Sequence, residues 1–165
     1  MRKGAISIAS LGLAMTACNQ NTALGNDREA WIDGESTASP IAAPQLALAN
    51  VSGTLLKPET MSDADIAAIG GREGRCAIKL TEVGFPSFLF EPGGTGYLKM
   101  NGKLIPIFGA GEGRFSEGGL LVTVRTLSDE GNAGLQAADM IVVAPDAEDE
   151  IGYRGYIQCF DGAAA

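Results

Sequence analysis

The sequence contains no histidine, and this absence excludes several classes of function. Histidine is the commonest general base and neutral metal ligand, so Ser-His-Asp and Cys-His catalysis are excluded. The absence of histidine also excludes zinc sites that contain it, and three cysteines are too few for a Cys₄ zinc site. Basic residues are few, 12 against 20 acidic ones, which gives a net charge of −8. A nucleic-acid partner is not expected, because binding a phosphate backbone requires a basic surface.

A run of apolar residues long enough to span a bilayer is missing, but the N-terminus carries a shorter one. Met1-Arg2-Lys3 precedes the apolar residues 4–17, whereas a membrane span needs about 20 residues. This pattern is typical of an export signal. The next segment, Met15-Thr16-Ala17-Cys18, resembles the lipobox of bacterial lipoproteins, with Met15 where the family usually has Leu. The resemblance implies that residues 1–17 are a signal peptide and that Cys18 is lipidated.

The same resemblance implies a location in the cell envelope. Several acyl chains, such as palmitate, hold a protein durably to a membrane, since each buried CH₂ contributes about 0.8 kcal/mol. Asn19 after the cysteine favours the outer membrane, with the protein facing the periplasm. The alternative is that Cys18 lies in an uncleaved anchor or an ordinary export signal. Removal of residues 1–17 takes away Arg2 and Lys3, so 10 basic residues face 20 acidic ones and the net charge becomes −10.

The two remaining cysteines predict a disulfide. Cys76 and Cys159 each fall on the apolar face of a predicted strand. Disulfides persist in oxidising compartments such as the periplasm, so we expect these two residues to be bridged. The bridge would close a loop of 83 residues (159 minus 76) and stabilise the domain by about 4 kcal/mol.

Composition divides the remaining chain into two parts. Residues 18–50, which begin with Cys18 and are rich in Ala, Asn, Ser, Pro and Gln, predict a flexible tether. The only tryptophan, Trp31, lies in this part, either in a local cluster or in a motif that docks on a partner. Residues 51–165 are long enough for one domain with its own core, and they hold 19 of the 23 glycines.

The pattern of residues 51–165 is mainly that of short β-strands. One short helix is predicted after Ser62, its N-cap, and Asn101-Gly102 is typical of a two-residue hairpin turn. The short connections predict an antiparallel barrel or sandwich of seven to eight strands. The predicted strands are Val51–Leu56, Arg75–Glu82, Phe85–Phe90, Tyr97–Met100, Lys103–Phe108, Leu120–Leu127, Met140–Ala144 and Tyr153–Phe160.

Acidic residues cluster near the C-terminus. Asp146, Glu148, Asp149 and Glu150 could supply oxygen ligands to Ca²⁺, but they lack the spacing of an EF-hand loop. A solvated loop explains the cluster as well, and we predict no metal site and no cofactor. Residues 111–165 carry ten acidic and three basic residues, a net charge of −7. This concentration of negative charge would favour a cationic protein partner, or would serve only to keep the protein soluble.

A glycine-rich loop is the candidate binding site. Gly109–Ser116 loosely resembles a loop of lipid-anchored inhibitors of c-type lysozyme, which are disulfide-braced β-barrels that bind a cationic enzyme. The resemblance implies a binding role for Gly111, Glu112, Arg114 and Phe115. However, Gly111 stands where that family has its functional serine, and the family's tryptophan is missing.

The end of the chain resembles uncharacterised small lipoproteins of alphaproteobacteria, which finish in Tyr-Arg-Gly-Tyr/Phe-x-x-Cys. Residues 153–159 match that pattern, which indicates a shared domain but carries no activity. We therefore expect a lipid-anchored, non-enzymatic envelope protein with a binding or structural role. The alternatives are a lysozyme-inhibitor-like binder and a glycan hydrolase built on two carboxylates. The candidates for such a pair are Glu82, Glu91, Glu112 and Glu117, but no local pattern selects two of them.

Overall fold

Eight antiparallel strands form a closed barrel in which each strand pairs with the next and the last pairs with the first. The computed structural model describes residues 37–49, 51 and 56–162, which belong to one unit running from Glu35 to Ala165. The strands are β1 (Cys76–Lys79), β2 (Phe88–Phe90), β3 (Thr95–Met100), β4 (Lys103–Gly109), β5 (Arg114–Glu117), β6 (Leu120–Glu130), β7 (Gln136–Val143) and β8 (Ile151–Cys159). Within the described residues, two short helices precede them, α1 (Pro44–Ala47) and α2 (Asp63–Ala68). The predicted antiparallel β class is confirmed, and the barrel is the correct alternative.

Apolar side chains fill the barrel, because every second residue of a strand points inward. Ile78, Leu98, Ile107 and Met140 are fully buried there. The rings of Phe88, Phe90 and Phe115 form one cluster, with centroids 5.0 to 5.1 Å apart. Offset and edge-to-face contacts at this spacing favour a fixed arrangement of the rings.

The disulfide lies at the seam where β1 meets β8. Cys76 and Cys159 are directly opposite each other in the two strands, and their sulfurs are bonded. The backbone N–H of Phe160 donates to the carbonyl of Arg75 next to this pair, at 2.9 Å. The cysteines therefore form a pair without mutual backbone hydrogen bonds, in which opposite side chains approach most closely. The predicted disulfide is confirmed, and it bridges the strands that close the barrel.

Helix α2 covers the outside of the barrel. Ser62 and Asp65 form the capping box at its start, and Gly70, with a φ of 96°, follows its end. Its buried Ile66 and the following Ile69 pack with outward-facing strand residues, which are Ala77, Leu89 and Leu104. The predicted helix and its N-cap are confirmed.

Residues 37–49 also lie on the barrel, although the tether was predicted to extend to residue 50. Ile41 forms a parallel bridge with Leu104, and Asn101 Nδ2 donates to the carbonyl of Ala47 at 2.8 Å. Ala47 is fully buried in the same cluster as the barrel interior. This segment therefore closes one end of the barrel. Cys18 and Trp31, and residues 52–55 of the first predicted strand, lie outside the described residues.

The strands from β1 onward follow the predicted order with one addition, although their boundaries differ: β2 begins three residues later than predicted, at Phe88, and β7 begins four residues earlier, at Gln136. Asn101 and Gly102 both have positive φ, 51° and 66°, as the predicted hairpin turn requires. Strand β5, Arg114–Glu117, was not predicted, because its four residues contain only one buried side chain, Phe115. Among the described residues, none of the helices has the length and apolar character needed to cross a membrane.

Candidate functional site

The barrel is open at the end opposite the segment 37–49, where it forms a cavity of about 300 Å³. We call this cavity the mouth pocket. Its volume is at the lower end of the range for small-molecule sites, about 300–1,000 Å³. It is lined by Phe90, Pro92, Gly93, Glu112, Gly113, Phe115, Val124, Thr126 and Ile157.

Buried side chains from four strands form the walls of the mouth pocket. Phe90 ends β2 and Phe115 lies in β5, while Val124 and Ile157 face inward from β6 and β8. Phe88 stacks on Phe90 at 5.0 Å and contacts Phe115, so the ring cluster supports the walls from below. Because these side chains also belong to the core, their positions are fixed by packing before any ligand arrives.

Two turns form the rim, and backbone contacts hold both in place. The N–H of Gly109 donates to the carbonyl of Gly94 at 2.8 Å, which joins the β4–β5 loop to the β2–β3 turn. The N–H of Val124 donates to the carbonyl of Gly113 at 2.8 Å. A Cβ on Gly113 would lie 2.6 Å from the carbonyl oxygen of Val124, and its φ is 72°, so only glycine fits there. The rim is therefore preformed.

The predicted binding loop contributes part of this pocket. Glu112 and Phe115 line it, whereas Gly111 and Arg114 are exposed and do not. Glu112 has a φ of 43°, and its carboxylate is the only charged group among the lining residues. Sequence reasoning assigned the other apolar wall residues to the core. Phe90 directly precedes the turn 91–94 and Phe115 follows the loop 109–113, so an aromatic residue next to a glycine-rich turn is the signal that could have identified these two.

The acidic residues named from the sequence do not converge on the mouth pocket. Asp146, Glu148, Asp149 and Glu150 lie between β7 and β8, and all four are exposed. Within residues 37–49, 51 and 56–162, no three Asp, Glu or Cys side chains come together as metal ligands would.

The acidic candidates for glycan hydrolysis are also dispersed. Glu82 accepts a hydrogen bond from the N–H of Ala133 at 2.8 Å, and Glu91 pairs with Arg75 at 3.0 Å. Glu117 ends β5, and of these four carboxylates only Glu112 lines the mouth pocket. This pocket therefore does not hold the two facing carboxylates that such hydrolysis requires.

A buried carboxylate joins three parts of the chain on the outside of the barrel. Asp65 accepts hydrogen bonds from the N–H of Ser39 at 2.6 Å, the N–H of Ser62 at 2.7 Å and Lys99 Nζ at 2.7 Å. Burial alone would raise the pKa of Asp65, but the bonds from Lys99, Ser62 and Ser39 together hold it well below its usual value. Asp65 is therefore an anion that links residues 37–49, helix α2 and strand β3.

These features can be compared with known proteins. One family model, described as a domain of unknown function (DUF6692), matches residues 14–162. The chain belongs to the DUF6692 family. The DUF6692 match covers the whole barrel, the rim of the mouth pocket and also Cys18. No curated protein and no solved structure matches the chain.

Proposed function

We propose that this DUF6692 protein is a non-enzymatic binding protein of the bacterial cell envelope, anchored by a lipid on Cys18. The mouth pocket takes up the apolar part of a small molecule. The observation that carries the proposal is the pocket itself, a preformed cavity of about 300 Å³ with apolar walls. Small-molecule sites are concave and mostly apolar, and the mouths of β-barrels are among their usual places.

The size and lining of the pocket define the ligand. At about 30 Å³ for each water molecule in the liquid, the pocket has the volume of about ten waters. One ring system or a short alkyl chain fills that space. Release of water from the aromatic and aliphatic walls stabilises the complex by about 25 cal/mol for each Å² of apolar surface buried.

Charge at the rim defines the exposed end of the ligand. Glu112 would repel a carboxylate or phosphate that left the pocket on its side, and it would attract a cation or a hydrogen-bond donor. We therefore expect a neutral or cationic head group on an apolar body.

Uptake of the neutral fluorophore N-phenyl-naphthylamine tests the pocket. The reference protein is the full chain with Cys18→Ser, which carries no lipid. Thr126→Trp fills the mouth, because Thr126 lines the pocket, and we expect at least tenfold weaker binding. Thr123→Trp is the matched control, because Thr123 lies on the same strand three residues earlier and faces outward. Equal binding by both variants, or no saturable signal from the reference protein, would contradict the proposal.

The lipid anchor rests on the segment Met15–Cys18, and the family match beginning at residue 14 includes it. The confirmed bridge between Cys76 and Cys159 leaves Cys18 as the remaining cysteine. Cells fed an alkynyl palmitate analogue should label the wild-type chain and not Cys18→Ser. Fractionation should place the labelled protein in the outer membrane. Label retained by the variant would rule out Cys18 as the anchor.

A second candidate function is the binding of a cationic protein, as the resemblance to lysozyme inhibitors implies. The observation in its favour is the exposure of Glu112 and Arg114 on the rim of the barrel. Binding of c-type lysozyme should then be measurable at low salt, weaken as salt rises, and weaken again in Glu112→Gln. Equal binding by the wild type and the variant would remove this candidate.

A further inference from the structure

A second cavity lies on the outer wall of the barrel, away from the mouth pocket. It has a volume of about 240 Å³ and lies beside the loop between β1 and β2. We call it the outer groove. Its lining includes Arg72, Lys79, Val83, Phe85, Pro86 and Phe160.

The outer groove is basic in a strongly acidic protein. Arg72 and Lys79 line it, and no acidic side chain does, although the whole chain carries a net charge of −8. Glu82 lies on the same loop, but its carboxylate accepts a bond from the N–H of Ala133. A concave surface lined by charges of one sign concentrates ligands of the opposite sign.

Both cations keep hydrogen-bond donors free. Within the described part of the chain, Lys79 Nζ makes one polar contact, to Gln158 Oε1 at 3.3 Å. The guanidinium of Arg72 also makes one polar contact, to Asp63 Oδ1 at 3.1 Å, and the side chain of Asp63 is 76 % exposed. An exposed ion pair of this kind contributes little to stability, so the guanidinium can bind a second anion at small cost.

Exposed apolar side chains flank these cations. Phe85 is 44 % exposed and Val83 is 93 % exposed. The guanidinium of Arg72 lies 5.8 Å from the centre of the Phe85 ring, which holds the cation beside an aromatic face. Pro86 and Phe160 complete the apolar part of the lining. The groove thus offers two positive charges next to an apolar surface.

We propose that the outer groove binds a phosphomonoester attached to an apolar body. A phosphomonoester carries about −1.5 to −2 charges at neutral pH, which match one guanidinium and one ammonium. Arg72 can donate two parallel hydrogen bonds to the phosphate, and Lys79 acts as a point charge. The apolar body lies against Phe85. This site is separate from the mouth pocket and does not depend on the function proposed for it.

Titration calorimetry with phenyl phosphate tests the site in the full chain carrying Cys18→Ser. We expect saturable binding, at least tenfold weaker binding in Lys79→Gln and in Arg72→Gln, and weaker binding of inorganic phosphate than of phenyl phosphate. Lys103→Gln is the matched control, because it changes the net charge equally and lies outside the groove. Circular dichroism verifies that each variant is folded.

A phosphomonoester can be a free metabolite or the head group of a lipid, and a second arm separates these sources. Vesicles of phosphatidylcholine are compared with vesicles that also contain phosphatidic acid. Binding only to the latter, lost in Lys79→Gln, identifies the lipid, whereas binding of phenyl phosphate alone identifies a free ligand. The proposal is overturned if neither probe binds at millimolar concentration. It is also overturned if Lys79→Gln and Arg72→Gln bind as tightly as Lys103→Gln.

Discussion

Replacement of Asp65 by alanine should destabilise the barrel far more than any exposed acidic residue can. The carboxylate accepts three hydrogen bonds, two from backbone N–H groups and one from Lys99, and the side chain is 1 % exposed. Asp65→Ala would leave Lys99, whose side chain is 14 % exposed, without its partner. Breaking a buried ion pair from one side costs about 3–5 kcal/mol, and we expect a loss of that size.

Urea unfolding followed by circular dichroism at pH 7 measures this loss. Asp63→Ala is the matched control, because Asp63 lies in the same first turn of α2 but its side chain is 76 % exposed. Its pair with Arg72 should contribute less than about 1 kcal/mol. If the two variants lose the same stability, the argument for a buried anionic link is refuted.

The pH dependence of stability, compared between the wild type and Asp65→Asn, gives an independent check. The folded pKa of Asp65 lies below its value in the unfolded chain, so folding favours the ionised form. Its contribution to stability is therefore present above the unfolded pKa of about 3.9 and is lost as the pH falls from there toward the folded pKa. The difference in the free energy of unfolding between the wild type and Asp65→Asn should therefore shrink as the pH falls from about 5 to about 2. A gap that stays constant would show that Asp65 does not act through its charge.

Three further predictions concern the barrel itself. The double variant Cys76→Ala/Cys159→Ala should lose about 4 kcal/mol of unfolding free energy in urea, as expected for a closed loop of 83 residues. A loss below about 1 kcal/mol, the effect of an ordinary substitution, would contradict this. Phe115→Ala should lose about 3–5 kcal/mol of unfolding free energy and also weaken fluorophore uptake, because this ring belongs both to the core and to the pocket wall. Unchanged uptake would contradict its place in the wall. Gly155→Ala should lower the melting temperature, because a Cβ there would collide with the carbonyl of Lys79. Gly152→Ala is the control on the same strand, since its Cβ would meet no atom and should leave the melting temperature unchanged. Equal melting temperatures of the two variants would refute the collision.

Local sequence patterns accounted for most of the fold. Alternating apolar residues, short apolar or aromatic runs and turn signals located seven of the eight strands, and the Asn101-Gly102 turn and the Ser62 cap were specified by neighbouring residues. Strand β5 was missed because its short length and flanking glycines give it the pattern of a loop. Its strand conformation comes from pairing with β6, where four residue pairs are in register. That pairing is a tertiary interaction and leaves little signal within β5.

The binding surfaces were harder to predict, because they combine residues that are distant in sequence. The mouth pocket joins Phe90, Glu112 and Ile157, and only Glu112 lay in a loop that sequence reasoning had singled out. The ion pair between Asp65 and Lys99 spans 34 residues, so the pattern at the start of α2 identified a helix cap and could not reveal its second role. Periodicity predicts which face of a strand is apolar. It does not predict which faces meet at the end of a barrel.

The seam formed by Cys76 and Cys159 also determines what a protease can do to this protein. All the loops that connect the eight strands lie between these two residues, within the 83-residue loop that the disulfide closes. A single cut in any of them, including the exposed residues 148–150, would leave two pieces joined covalently through the first and last strands. The pieces would also keep their places in the sheet, because β1 and β8 remain paired. A nicked barrel would therefore stay in one piece until a reductant broke the disulfide.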